Sequence, residues 1–499
     1  MKTMLGIDLG TSGVKVIAVK QNGDVVAKAT AEYPLIQLRS GWSEQNPQDW
    51  WDGVLSAIGQ IVSNRDVSPE SIAAISLSGQ MHGSVFLDSE GKVIRNALLW
   101  NDTRTYQECE FITRTIGEEH LLELVGNPAL EGFTAPKVLW LRENEPENYS
   151  RLRTLLLPKD YLLYKLTGRL CTEMSDAAGT LLLDVSQRTW SEEIIRSLDL
   201  DPNIFPELLE STDIVGTLKT DLASSLGLDA GVQVVAGGAD NACAAVGNGV
   251  VEEGIVLVSI GSSGTVLTQT DKMRYDPKGR IHSFCHSVPS KWYLMGVMLS
   301  AGLSMSWLKN EILMTDNDTI NAEASKVPPG SEGVIFSPYL FGERTPHRDS
   351  KARGTFFGLS SFHTRGHLIR SVFEGVAFGL KESLDLLSKM GVCPNEIRLT
   401  GGGAKSSLWC QILSDVLNSP VVLMESDEGP AYGAALIAAA GVGIFPDLPN
   451  AARSTVKTKG CITPDPLNAK LYAEIYPVYQ GLYASLKDQY AEAFRIFNK

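Results

Sequence analysis

Residues 4–19 read Met-Leu-Gly-Ile-Asp-Leu-Gly-Thr-Ser-Gly-Val-Lys-Val-Ile-Ala-Val. An apolar stretch, residues 4–9, leads into a tight turn of small residues, and a β-branched stretch follows at residues 14–19. Asn22-Gly23 then marks a hairpin turn into a third extended stretch. The chain is therefore predicted to open with strand, turn and strand, and not with the strand–turn–helix unit of a dinucleotide-binding fold.

The same pattern returns half a chain later. Residues 9–14, Leu-Gly-Thr-Ser-Gly-Val, correspond to residues 260–265, Ile-Gly-Ser-Ser-Gly-Thr. Short Gly/Ser turns can also recur by chance, but strand-like and helical patterns alternate throughout, which predicts an α/β fold built of two similar lobes. Asp8 precedes the first turn and Ser259 the second, so we expect one site in the cleft between the lobes. The glycines near residue 250 predict a boundary between two lobes, which then comprise residues 1–247 and 248–499.

Composition narrows the class of protein. The chain has 499 residues, of which 43% are hydrophobic, and 44 basic against 58 acidic residues give a net charge of −14. An acidic balance argues against nucleic acid or an anionic membrane surface as the partner. Seven scattered cysteines without a CxxC pair, and an N-terminus without a signal-type apolar segment, predict a soluble cytoplasmic protein with reduced thiols.

Three longer stretches carry a helical pattern. The uncharged residues 292–308 and 431–446 are too short for membrane spans and are predicted to be buried helices. Residues 466–499 are predicted to form an amphipathic helix that closes the second lobe. Its apolar face is expected to contain Leu467, Leu471, Ile475, Val478 and Leu482.

Three glycine-rich turns are candidates for holding phosphate groups. They are residues 10–13, residues 261–264, and the triple glycine at residues 401–403, which follows a strand-like stretch and precedes a helical one. Backbone N–H groups in such turns form anion-binding nests, and small residues let the backbone approach a ligand. Each could be only a tight turn, but together they predict a split nucleotide-binding cradle.

Two aspartates lie where acid chemistry is expected. Asp8 ends an apolar strand, and it either accepts N–H groups of the turn or organises Mg²⁺ beside nucleotide phosphates, partly through water. Asp240 follows Gly237-Gly238-Ala239 and precedes an alanine-rich run. It is suited to be the N-cap of the following helix and also to be a general base.

Polar residues follow two further strand-like stretches of the first lobe. Residues 80–83, Gln-Met-His-Gly, come after one, and residues 100–104, Trp-Asn-Asp-Thr-Arg, come after another. Ligands in α/β proteins commonly bind at strand ends. Either segment could instead be a structural loop, the second one stiffened by an Asp–Arg pair.

Together these residues resemble the FGGY carbohydrate kinases along nearly the whole chain. Residues 6–12 resemble the family's first phosphate motif, residues 132–144 its first signature, and residues 354–374 its second. Within the family, residues 78–83, 99–102 and 157–161 look like those of xylulokinases and not like those of glycerol kinases.

The resemblance implies a two-lobed actin-like ATPase (ribonuclease H-like) fold and ATP-dependent phosphorylation of D-xylulose to D-xylulose 5-phosphate. Asp240 would be the general base, Asp8 would support Mg²⁺, and the ketose would contact Met81, His82, Asp240 and Asn241, with Trp100 lining the same pocket. With the glycine-rich turns, it gives the predicted ATP contacts Gly10, Thr11, Ser12, Gly261, Ser262, Gly402, Gly403 and Ser407. A kinase for another ketose or polyol, or a non-catalytic sugar- and nucleotide-binding regulator, are the alternatives, and a homodimer is a family-level expectation.

Overall fold

Two β-sheets organise the computed structural model, which describes residues 1–426 and 428–497. The strands of the first sheet are β1 Thr3–Leu9, β2 Gly13–Lys20, β3 Val25–Glu32, β4 Ile72–Gly79, β5 Ile214–Thr217 and β6 Gln233–Ala239. The strands of the second are β7 Ile255–Ile260, β8 Gly264–Thr270, β9 His282–Cys285, β10 Trp292–Met298, β11 Glu396–Thr400, β12 Val421–Met424 and β13 Thr458–Ile462. The other strands pair in twos: Glu44–Gln45 with Ala97–Leu98, Val85–Leu87 with Thr154–Leu156, Cys171–Glu173 with Glu207–Leu209, Leu183–Asp184 with Thr189–Trp190, and Ile335–Ser337 with Thr355–Phe357.

The two sheets share one topology. In the first, β1, β2 and β3 form an antiparallel meander, and β4 and β6 continue from β1 as parallel neighbours. In the second, β7, β8 and β10 form the meander, and β11 and β12 continue from β7 in parallel. The turns of the sequence repeat join β1 to β2 and β7 to β8. The predicted α/β class and internal duplication are thereby confirmed.

Helices cover the sheets on both faces. They are α1 Pro47–Val62, α2 Tyr106–Ile116, α3 Glu118–Val125, α4 Thr134–Asn144, α5 Pro146–Arg151, α6 Pro158–Thr167, α7 Met174–Ala177, α8 Glu192–Ser197, α9 Thr220–Leu226, α10 Asp240–Gly247, α11 Gly302–Trp307, α12 Asn317–Ala324, α13 Arg365–Lys389, α14 Ser407–Leu417, α15 Gly429–Gly441, α16 Leu448–Thr455 and α17 Pro466–Phe497. Within residues 1–426 and 428–497, no helix combines the length and apolar character that crossing a membrane requires.

Two helices cross between the lobes. Helix α15, from the second half of the chain, packs on β1 and β4 of the first sheet and lies beside α10. Helix α10, from the first half, buries Ala242 and Ala245 in the apolar cluster that contains Leu257 and Leu267 of the second sheet. A Cβ at Gly433 would lie 1.9 Å from the carbonyl oxygen of Cys243, so only glycine allows this close approach of α15 to α10. The start of α10, which carries Asp240, therefore lies at the lobe interface.

Two of the helix predictions need correction. Residues 292–308 are not one buried helix, because Trp292–Met298 is the buried strand β10 and only Gly302–Trp307 is helical. Such a run of uncharged apolar residues fits a fully buried strand as well as a helix. The second buried helix, within residues 431–446, is confirmed as part of α15.

The C-terminal helix is confirmed over Pro466–Phe497, and the last two residues of the predicted stretch lie outside the described residues. Its predicted apolar face is only partly correct, because Leu482 is buried and Ile475 packs against the core, but the other three residues are exposed. Leu467 is 80% exposed and Val478 is 49% exposed, whereas the tyrosines Tyr472, Tyr476 and Tyr479 are buried. Their rings pack around Phe378 of α13. The hydroxyls of Tyr472 and Tyr476 each donate a hydrogen bond to a carboxylate, so both tyrosines can be buried without an unpaired polar group.

Candidate active site

Parallel strands bring the predicted catalytic residues to one edge of the first sheet. Asp8 lies near the end of β1, Met81 and His82 follow β4, and Asp240 follows β6. Because β4 is the parallel neighbour of both β1 and β6, the three strand ends meet at this edge. Residues that are far apart in the sequence thus converge at the mouth of the cleft.

Asp240 is the first residue of α10, and Ala239 is the N-cap residue, which corrects the predicted capping role. Its Oδ1 accepts hydrogen bonds from the backbone N of Asn241 at 2.6 Å and from Nδ2 of Asn241 at 2.9 Å. Burial, and secondly the charge of Asp8, raise the pKa of Asp240 to about 7, although the Asn241 bonds act in the opposite direction. A carboxyl of this kind can exchange a proton near neutral pH.

Asp8 pairs across the strands with Ser78 of β4 and Lys15 of β2. Burial raises its pKa, and the Ser78 hydroxyl and the Lys15 ammonium partly oppose that shift. The N–H of Gly10 donates to the carbonyl of Gly13 and not to Asp8. The Asp8 carboxyl therefore lies beside the turn without a hydrogen bond from the N–H of Gly10.

The predicted sugar contacts assemble around Met81. Its sulfur lies 3.6 Å from Nδ2 of Asn241 and 3.8 Å from the hydroxyl of Tyr293. His82 Nδ1 lies 2.6 Å from the carbonyl oxygen of Gly179, which assigns the ring proton to Nδ1 and leaves Nε2 as an acceptor. Burial lowers the pKa of His82 to about 3, so the ring is neutral at physiological pH.

His82 adopts a left-handed backbone with φ of 67°. Its carbonyl oxygen accepts bonds from Nζ of Lys137 at 2.9 Å and Oγ1 of Thr134 at 3.0 Å. Lys137 is fully buried and also donates to the carbonyl of Gly132 at 2.6 Å. Burial lowers the pKa of Lys137 to about 7. Residues 132–137, which the sequence offered only as a family signature, thus hold the histidine in place.

Trp100 contacts the first glycine-rich turn. Its Nε1 donates to Oγ1 of Thr11 at 2.9 Å, and Thr11 donates in turn to Oε1 of Gln80 at 3.1 Å. The loop beyond Trp100 contains the Asp–Arg pair of the structural alternative, because Arg104 donates to both carboxylate oxygens of Asp102.

Two cavities of about 310 Å³ each flank Gly402 in the second half of the chain. One is lined by residues that include Asn241, Ser259, Thr265 and Gly429, and it therefore opens beside Asp240. The other is lined by residues that include Gly261, Ser262, Gly403 and Trp409. A Cβ added at Gly402 would meet only the carbonyl of Ile260, at 3.9 Å, so the backbone here is open to a ligand. Both cavities fit the predicted nucleotide cradle.

The structure does not bring all predicted ATP contacts to these cavities. Gly261, Ser262, Gly402 and Gly403 line one or both, whereas Gly10, Thr11, Ser12 and Ser407 line neither. The first turn lies on the opposite lobe beside Asp8. Ser407 is exposed at the start of α14, whose N-cap is Ser406.

Sequence reasoning missed a buried polar cluster behind Asp240. It consists of Lys159, Asp160, Glu173, Ser175, Asp176 and Ser211, all fully buried. Lys159 Nζ lies 2.6 Å from Asp160 and 3.8 Å from Glu173. Lys159 and Asp160 stood out only as part of a family-like segment, and nothing local distinguished Glu173 or Ser175 from loop residues.

Family models match both halves of the chain. The N-terminal domain of the FGGY family of carbohydrate kinases matches residues 3–247, and the C-terminal domain matches residues 256–442. The chain belongs to the FGGY family of carbohydrate kinases. This FGGY kinase is therefore a phosphotransferase that uses ATP, and its fold is that of a two-lobed sugar kinase.

Individual relatives cover nearly the full length of this FGGY kinase. Xylulose kinase of Bacillus subtilis (strain 168) is 42% identical over 98% of both chains. A crystal structure of a xyloylose kinase from Brucella ovis superposes with a TM-score of 0.93 at 36% identity, over 98% of this chain and 100% of the other. A gluconate kinase from Lactobacillus acidophilus gives the same TM-score of 0.93 at 27% identity, over 98% and 99%. The backbone is thus similar in kinases named for different sugars.

Proposed function

We propose that this FGGY kinase transfers the γ-phosphoryl group of ATP to the terminal hydroxyl of D-xylulose, with Asp240 as the general base. The carrying observation is that Asp240, whose pKa is raised to about 7, accepts a hydrogen bond from Asn241, and that Asn241 both contacts Met81 and lines the cavity beside Gly402. Relatives named xylulose kinase at 42% identity support the choice of sugar.

In the proposed step, Asp240 accepts the proton of the attacking hydroxyl as the new oxygen–phosphorus bond forms. The bond between the β- and γ-phosphates breaks, and ADP leaves with its electron pair. Nε2 of the neutral His82 accepts a hydrogen bond from another sugar hydroxyl and so orients the ketose. Closure of the lobes would exclude water, which otherwise competes for the phosphoryl group.

Asp8 is the proposed carboxylate for Mg²⁺, with nucleotide phosphates and water completing the shell, since Mg²⁺ usually keeps several waters. When bound, the ion would neutralise negative charge on the nucleotide phosphates. Burial raises the pKa of Asp8, so a cation beside it would stabilise the ionised form. Asp8→Asn is expected to raise the Mg²⁺ concentration that gives half-maximal rate.

We also propose the division of labour between the lobes: residues 1–247 bind the sugar and supply the base, and residues 248–499 bind ATP. The support is that Met81, His82 and Asp240 lie in the first range, whereas most of the residues lining the two cavities lie in the second. Helix α10 spans this division, because it belongs to the first range and contributes Ala242 and Ala245 to the apolar cluster that includes Leu257 and Leu267 of the second sheet.

The test is sugar-dependent ADP release with Mg-ATP, measured against D-xylulose, D- and L-ribulose, glycerol, xylitol, D-arabitol and D-gluconate. D-Xylulose is expected to give the highest kcat/KM, and Asp240→Asn is expected to lower kcat about 10²–10⁴-fold while both ligands still bind. Asp24→Asn, which neutralises an exposed acid of the β2–β3 hairpin, is the control. Near-normal turnover by Asp240→Asn would remove Asp240 from the role of base.

A kinase for a different sugar acid, ketose or polyol is the second candidate. It is favoured by the TM-score of 0.93 with a gluconate kinase, because the same backbone accommodates another acceptor. A higher kcat/KM with one of the other acceptors would select it. That result would mean that the sugar assigned to the pocket around Met81 and His82 is wrong, and it would leave the proposed base and ATP cradle unchanged.

A homodimer is proposed as well. One segment of the second lobe exposes several large apolar side chains, since Phe341, Phe357, Leu359 and Phe362 are each 48–66% exposed. Apolar clusters of this kind often mark contacts between proteins. Light scattering should give twice the chain mass, and Phe357→Ser together with Phe362→Ser should halve it.

The cytoplasm is the proposed location. All seven cysteines are free thiols in the structure, which is the usual state in a reducing compartment. Cell fractionation is expected to recover the activity with cytoplasmic markers.

A further inference from the structure

A serine hydroxyl joins the buried polar cluster to the backbone immediately before Asp240. Oγ of Ser175 accepts a hydrogen bond from the backbone N of Ala239 at 2.9 Å. The same hydroxyl donates to Oε1 of Glu173 at 2.8 Å. Since an N–H can only donate and a carboxylate can only accept, the hydroxyl has a single orientation that satisfies both partners.

Glu173 is itself held firmly. Its carboxylate accepts bonds from the backbone N of Ser175 and of Asp176, at 2.8 Å each, and from Oγ of Ser211 at 2.7 Å. The Lys159 ammonium lies 3.8 Å away. Because Glu173 is fully buried, these donors hold its carboxylate in a single orientation.

The position of Ala239 makes this bridge relevant to chemistry. Strand β6 ends at Ala239 and α10 begins at Asp240, so the chain changes direction between them. Space around the bridge is tight, because a Cβ at the neighbouring Gly238 would lie 3.2 Å from Oγ of Ser175. A shift of Ala239 would carry Asp240 with it.

We propose that Ser175 is a positioning residue for Asp240: its hydroxyl ties the backbone N–H of Ala239 to the fixed carboxylate of Glu173 and thereby sets the place from which Asp240 reaches the sugar hydroxyl. This inference rests on the proposed role of Asp240 as base. Loss of the hydroxyl leaves the Ala239 N–H buried without its partner, and a misplacement of about 1 Å at a reacting group can cost about 10²-fold in rate.

The experiment is a double-mutant cycle in the full-length enzyme. Ser175→Ala is expected to lower kcat about 10- to 100-fold with the KM for ATP within about twofold of wild type. In the Asp240→Asn background the same change is expected to alter kcat by less than about twofold, because a residue that acts through the base has no effect once the base is gone. Ser175→Cys, which keeps a weaker donor and acceptor, should fall between serine and alanine.

Ser331→Ala is the matched control. Ser331 is equally buried, and its hydroxyl donates to the buried carboxylate of Glu374 at 2.8 Å in the second half of the chain. It should lower thermal stability about as much as Ser175→Ala and leave kcat within about twofold of wild type.

The outcomes separate the inference from the proposed function. Equal losses of kcat in Ser175→Ala and Ser331→Ala, or a full further loss in the Asp240→Asn background, would overturn the positioning role alone. Near-normal turnover of Asp240→Asn itself would overturn the base assignment and this inference with it.

Discussion

The indole Nε1 of Trp100 lies 2.9 Å from Oγ1 of Thr11 and donates a hydrogen bond to it. The hydrogen bonds continue beyond Thr11. Its hydroxyl donates to Oε1 of Gln80, and Nε2 of Gln80 donates to Oε1 of Gln45. A residue expected beside the sugar and a residue expected beside the phosphates are thus directly bonded. The first glycine-rich turn is thus hydrogen-bonded to residues on the side where the sugar is expected.

Trp100→Phe should weaken the use of both substrates. It removes one hydrogen bond worth about 0.5–1.5 kcal/mol, so kcat/KM for sugar and for ATP should each fall about 2- to 10-fold. Steady-state kinetics with each substrate varied in turn measures this. Trp190→Phe removes a comparable indole bond, to Pro206 at 2.9 Å, outside the candidate site and should leave both values unchanged. A loss confined to the sugar would contradict the link through Thr11.

The rate should depend on pH through Asp240. A general base must be deprotonated, and burial raises the pKa of this carboxyl to about 7, so kcat/KM for the sugar should rise as pH increases from 6 to 8. Initial rates across that range, at constant ionic strength, should show one inflection near pH 7. A flat profile for the wild-type enzyme would contradict the assignment.

The same carboxyl should reduce stability at high pH. Asp240 holds its proton more tightly when folded than when unfolded, where its pKa is near 3.8, so the folded state loses stability as pH rises from about 4 to about 7. Asp240→Asn should therefore stabilise the ligand-free protein by about 2 kcal/mol at pH 8 and by less at pH 5. Thermal unfolding at both pH values measures the difference. Asp24→Asn should not reproduce it.

Lys137→Met should weaken binding of the sugar and leave binding of the nucleotide unchanged. The change leaves the carbonyls of His82 and Gly132 without one buried donor each, at about 1–3 kcal/mol, and frees the left-handed His82 backbone. The KM for the sugar should rise about 10-fold or more, with the KM for ATP unchanged. Lys165→Met, which removes a cation near Trp51, is the control. Equal increases in both KM values would indicate a general loss of structure instead.

Tyr472→Phe should destabilise the second lobe. Its buried hydroxyl donates to Glu374 at 2.8 Å and accepts from Arg370 at 3.1 Å, so its loss should cost about 1–3 kcal/mol. Leu467→Ala, at a position 80% exposed, should change stability by less than about 0.5 kcal/mol. Urea unfolding midpoints of the two variants compare the faces of α17. The reverse order of the two effects would favour the leucine face that the sequence pattern indicated.

Local features of the sequence determined much of this protein. The turns at residues 10–13 and 261–264 and the Asn22-Gly23 hairpin depend on a few adjacent residues, and so does the expectation that Met81, His82 and Asp240 lie at strand ends. Turn chemistry and apolar alternation act over short distances along the chain. The repeat of such a pattern therefore predicted the duplicated α/β fold before any tertiary contact was known.

Contacts between distant segments were decided only by the tertiary structure. Ser175 bonds to Ala239, Lys137 bonds to His82, and α15 of the second half packs on the first sheet beside α10. The tyrosine face of α17 is buried because it packs against Phe378 of α13 and its hydroxyls reach acids there, whereas hydrophobicity alone favours the leucines. Burial and long-range hydrogen bonds follow from how the sheets and helices pack together, and no short stretch of sequence contains that information.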